Sequence, residues 1–132
     1  LADGTDGGGS CRIPAAFSGV VGYKPPFGRN PLDREHPLEN MLHYGPLTRT
    51  VGDAALMQNV MSGQHVADQC SLREKLVLPE VFPSVKGMKI AFSMDLGYYQ
   101  VAPDVQRNTR EMVRALKRLG AKVEEVDLGW NY

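Results

Sequence analysis

The pattern of apolar and polar positions divides this chain into two parts of different character. In the first, to about Gly63, apolar runs are short and interrupted by Gly and Pro. Ile13 to Phe17 fits a short helix, because Pro14 falls in its first turn, where a missing N–H costs nothing. Val20-Val21-Gly22-Tyr23 reads as a short strand. Lys24-Pro25-Pro26-Phe27-Gly28 breaks it, since Pro cannot donate to a ladder and restricts its predecessor. Residues 29–44 are polar, contain prolines and read as loop. Thr50-Val51-Gly52-Asp53 starts a helix: Thr50 can cap, and Asp53 sets a carboxylate against the exposed N–H groups and the dipole. That helix stops at Gly63. Its apolar positions 51, 55, 56 and 60 share a face that is expected to be core.

Residues 64–86 are charged, contain two prolines and read as a connection over the surface. Met88-Lys89-Ile90-Ala91-Phe92 then reads as a strand after Gly87. Pro103 opens a helix at a position that suits it. Val105, Thr109, Met112, Val113, Leu116 and Leu119 mark one face at spacings of three and four. Gly120 ends it, and Lys122 to Val126 is the next strand. Strand, helix, strand is a βαβ unit, expected to be right-handed and to feed a parallel sheet. Such strands need cover on both faces, more than one helix supplies. The expected class is α/β, with 1–132 as a single incomplete domain: 1–63, a connection at 64–86, and the strand-helix-strand unit at 87–128.

Composition narrows the function classes. Of 132 residues, fifteen are basic and fifteen acidic, so charge gives no reason to expect nucleic acid or an anionic membrane as partner. No apolar stretch approaches the roughly eighteen residues of a membrane-spanning helix. The start, Leu1-Ala2-Asp3-Gly4, lacks an initiator Met and the features of a signal peptide, and reads as a cut inside a larger protein. The two cysteines, Cys11 and Cys70, fit no zinc or redox spacing and suit a reducing cytoplasm. His36, His43 and His65 are scattered over polar segments and form no metal-binding pattern.

The candidate chemistry sits at the start, in Gly4-Thr5-Asp6-Gly7-Gly8-Gly9-Ser10-Cys11-Arg12. Three glycines let several backbone N–H groups point at one spot, ahead of a helix. Composition leaves three readings: a flexible turn, a phosphate site, or an oxyanion hole with Ser10 as nucleophile. The loop lacks the Lys-Ser/Thr of a Walker A loop and the phasing of a dinucleotide fingerprint. Arg12 also stands where a Gly-x-Ser-x-Gly elbow requires its last glycine.

The run Gly4 to Phe17 resembles the signature of the amidase signature family, as does Gly19-Val20-Val21-Gly22-Tyr23-Lys24-Pro25. Gly45-Pro46-Leu47-Thr48-Arg49-Thr50-Val51-Gly52-Asp53-Ala54-Ala55-Leu56 resembles the family's next block, in the expected order. The βαβ end resembles the later core. The resemblance implies a mixed sheet covered by helices on both faces, and hydrolysis of a small-molecule carboxamide without cofactor or metal. It implies Ser10 as nucleophile and an oxyanion hole on the N–H groups of Gly7, Gly8, Gly9 and Ser10. Asp6 and Arg12 would support the loop. The family's proton handling, by a relay Ser and a neutral Lys, lies upstream of the nucleophile and so before Leu1. Lys24 reads as structural and is not that base; Arg49 likewise reads as structural. The chain's physical partner would be the remainder of its own polypeptide or a second copy in a homodimer. Some family members are amidotransferase components that pass ammonia to a tRNA-linked substrate, a subgroup that residues 29–44 do not resemble. The family usually has a larger residue than Gly7, and often Ile or Val at Cys11; the departures are expected to loosen the loop or alter the acyl pocket.

Overall fold

A computed structural model describes residues 1–32 and 40–131, so residues 33–39 of the expected 29–44 loop, His36 among them, lie outside the described residues. The chain divides into two compact units, Leu1–Val81 and Phe82–Tyr132, with the boundary inside the 64–86 connection.

The first unit holds β1 (Ala2–Thr5), α1 (Arg12–Ser18), β2 (Val21–Gly22), β3 (Tyr44–Thr48) and α2 (Val51–Met61). The helices and β2 fall where the pattern predicts them. Strands β1 and β3 do not, and they pair with each other: Ala2 faces Leu47 and Thr5 faces Tyr44, antiparallel. Strand β2 joins the other side of β3, giving the order β1-β3-β2. The central strand therefore carries Gly45 and Pro46, residues that usually argue against a strand interior. Both are buried because backbone comes close here. A Cβ on Gly45 would collide with the Tyr23 carbonyl. Pro46 accepts a bond from Tyr23 N at 3.0 Å and has no N–H to return.

Helix α2 begins as expected. Thr50 Oγ1 accepts from Asp53 N at 3.1 Å and donates to Asp53 Oδ2 at 2.8 Å. Of the four positions expected to be core, only Ala55 is buried. Ala54, Ala55 and Gln58 are buried, whereas Val51, Leu56 and Val60 are 57–77% exposed. Small residues win because α2 lies against β3 and β2. Gln58 is tolerated there because its amide pairs with Asn30 in both directions, at 2.7 and 3.0 Å.

The second unit is β4 (Lys89–Phe92), α3 (Pro103–Arg118) and β5 (Lys122–Glu125). The two strands are parallel, with Ile90 beside Val123, as the βαβ pattern predicts. Val126 continues the ladder by donating to the Phe92 carbonyl at 2.9 Å. Val113, Ala121 and Val123 form the core, with Val85, Ile90, Phe92 and Leu116 packed around it. Here too the expected helix face is only partly covered: Val105, Met112 and Leu119 are at least half exposed. Two strands offer α3 too little surface to bury its whole apolar stripe. Among the described residues the sheets are thus one antiparallel and one parallel, both within an α/β architecture.

Candidate active site

Strand β1 runs into the Gly-rich loop, and α1 leaves it. Between them the chain turns around one carboxylate. Asp6 is fully buried. Its Oδ2 accepts from Arg12 Nε at 2.9 Å, Cys11 N at 3.2 Å and Arg12 N at 3.4 Å. Its Oδ1 accepts from Arg12 Nη2 at 2.8 Å and Lys24 Nζ at 3.4 Å. Cys11, at the N-cap of α1, makes no capping bond with its own side chain. Asp6 caps the helix instead, from five residues upstream, and takes up two of the N–H groups that a helix start leaves open.

The electrostatics follow from this crowding. Hydrogen bonds from the Arg12 side chain hold the Asp6 carboxyl well below the usual carboxylate range, against the burial that alone would raise it. The Arg12 guanidinium is pushed up in turn by Asp6. The Cys11 thiol is pushed up by burial and by the Asp6 charge. That thiol is fully buried and donates to the Gly4 carbonyl at 3.1 Å, with the Gly45 carbonyl at 3.6 Å. Cys11 and Cys70 are both free.

The loop's backbone divides into used and unused donors. Asp6 N donates to the His43 carbonyl and His43 N returns to the Asp6 carbonyl, at 2.9 and 3.3 Å. Ile13 N donates to the Gly9 carbonyl at 2.7 Å. The N–H groups of Gly7, Gly8, Gly9 and Ser10 have no protein acceptor among the described residues. Gly9 has φ +135°, which only glycine adopts readily, and a Cβ there would meet Ile13 at 2.5 Å. Gly7 is different: a Cβ would stand 3.6 Å from Leu42 Cγ, an ordinary contact, and around Gly8 the space is open. Ser10 is exposed at the turn into α1.

Asp6, Gly7, Gly8, Gly9, Ser10 and Arg12 thus lie on one turn. Sequence reasoning missed Lys24 and the 41–43 segment as neighbours of the loop. Lys24 Nζ reaches Asp6 and the Met41 carbonyl, the latter at 3.0 Å. The available signal was Pro25, buried next to it, which fixes an extended backbone at Lys24. His43 packs edge-on to Phe27, with ring centroids 5.8 Å apart.

The sequence profile of the Amidase family matches residues 1–130. This chain belongs to that family. An acylamidase of Rhodococcus erythropolis is 39% identical over 98% of the chain, which spans 28% of that relative's length. A glutamyl-tRNA(Gln) amidotransferase component from Thermotoga maritima is 37% identical over 95% of the chain and 27% of its own length. Among solved structures, a bacterial aryl acylamidase of the amidase signature enzymes superposes with a TM-score of 0.86 at 41% identity. That match covers 99% of this chain and 28% of the other. The chain therefore carries a little over a quarter of the length of the amidases it matches. No described helix is long and apolar enough to cross a membrane.

Proposed function

We propose that this chain supplies the nucleophile loop of an amide-hydrolysing enzyme, with Ser10 as nucleophile. Ser10 Oγ attacks the carboxamide carbon, and its proton passes to a base. The carbonyl oxygen becomes an oxyanion held by the N–H groups of Gly7, Gly8, Gly9 and Ser10. The base returns the proton to the amide nitrogen as the C–N bond breaks, ammonia or an amine leaves, and water then hydrolyses the acyl-enzyme. The observation that carries this reading is the run of four unused backbone donors ending at an exposed Ser10. A donor of this kind is worth about 3 to 4 kcal/mol to the barrier when it faces the developing charge. Asp6 and Arg12 act as support: they hold the turn and do not transfer protons.

No described side chain hydrogen-bonds Ser10. An unassisted hydroxyl is a poor nucleophile, so this reading takes the base and relay from outside the described residues. Full-length protein should react with a fluorophosphonate at Ser10 and lose the label in Ser10→Ala. Absence of labelling in the wild type would instead favour a phosphate-binding or interaction module.

A second reading rests on the amidotransferase relative, whose identity to this chain is almost that of the acylamidase. In it the same loop releases ammonia from glutamine within a complex of several chains. Full-length protein tested on glutamine and on simple aryl and alkyl amides separates the two.

A further inference from the structure

Lys24 stands where two segments meet the nucleophile loop. Its side chain is only 20% exposed, although nothing in a surface role would require that. The ammonium lies 3.4 Å from Asp6 Oδ1 and donates to the Met41 carbonyl at 3.0 Å. Two residues on, His43 exchanges both backbone bonds with Asp6. Between those anchor points, Leu42 lies beside Gly7, the first glycine of the loop. Arg12 already engages both oxygens of Asp6. Lys24 is therefore not needed to neutralise the carboxylate; what it adds is the second attachment, to Met41. Lysine suits that task because its ammonium is a compact donor that can serve two acceptors in different directions.

We propose that Lys24 is a positioning residue, a strut between Asp6 and Met41 that holds residues 41–43 against the nucleophile loop and makes Leu42 a wall beside Gly7. It acts through Asp6 and the loop backbone and does not touch substrate. The proposal rests on the reading of Ser10 as nucleophile.

The test uses full-length enzyme and a fluorophosphonate probe. Wild type should label at Ser10. Lys24→Met should label more slowly, by up to about 100-fold, the scale of a displacement of about 1 Å at a reacting group. On an amide substrate the loss should fall on kcat, with KM little changed, and Lys24→Arg should recover most of the rate. Leu42→Ala should narrow the difference in rate between small and bulky phosphonates. Wild-type labelling with Lys24→Met as fast as wild type overturns the proposal and leaves the Ser10 reading intact. A Lys24→Arg rate as low as that of Lys24→Met also overturns it. No labelling of wild type overturns both. If Lys24→Met does not fold by circular dichroism, Lys24→Gln and Leu42→Ala decide: unchanged rate and unchanged size discrimination overturn the strut.

Discussion

Asp6 ties several parts of this structure together. It caps α1, pairs Arg12 and meets Lys24, and its backbone fastens β3's approach to the loop. Asp6→Ala should destabilise the folded unit by about 2 kcal/mol, less than a fully orphaned buried charge, because Arg12 keeps half its side chain in water. A shift of the urea midpoint measures it. The pH dependence has a defined sign. The Asp6 carboxyl is depressed in the folded chain, so its contribution is complete above the unfolded value of about 3.9 and is lost as pH falls below it. Stability measured between pH 6 and pH 2 should fall on the acid side, and Asp6→Asn should flatten that fall. Cys11 yields a second prediction at this scale. Fully buried, with its thiol pushed up, it should resist iodoacetamide in the native state while exposed Cys70 reacts. Equal modification of both would contradict the packing of Cys11 between Gly4 and Gly45.

At the scale of elements, the Thr50 cap is the simplest to measure. Thr50→Ala removes the bond to Asp53 N and should cost about 1 kcal/mol of stability, while Thr50→Ser should cost much less. That cap was legible in the sequence, as were α1, α3 and the parallel pair, because their signals are local: Pro in a first turn, Gly at a helix end, spacings of three and four. Strands β1 and β3 were illegible for a physical reason. Ala-Asp-Gly in β1 and Gly-Pro in β3 are residues depleted in strands, and only the close approach of neighbouring backbone selects Gly4 and Gly45. The exposed face of α2 failed for another reason. Periodicity finds an apolar face, but it cannot tell which partner covers it, and small Ala54 and Ala55 fit closer to the sheet than Leu56. At the site, resemblance brought out Asp6 and Arg12 as a pair. Lys24 was hidden because its partners are separated from it in sequence by up to eighteen residues.

At the scale of the whole molecule, the chain spans about 28% of the acylamidase it matches, and among the described residues nothing assists the Ser10 hydroxyl. Residues 1–132 purified alone should show no amide hydrolysis; turnover by the isolated chain, lost in Ser10→Ala, would contradict that division of labour. Val51, Leu56 and Val60 on α2 and Phe17 on α1, the last 90% exposed, are apolar positions that the rest of an amidase would have reason to cover. The division of labour within the loop itself has a kinetic consequence. The N–H groups of Cys11 and Arg12 are tied to a buried carboxylate, whereas those of Gly7 to Ser10 are tied to no protein acceptor. In deuterated solvent the motif should split in two. The Gly8 and Ser10 amides, exposed and without a protein acceptor, should exchange within the dead time, and the Cys11 and Arg12 amides should wait for the helix to open. An oxyanion seated on the fast half would then have water to displace but no protein hydrogen bond to break.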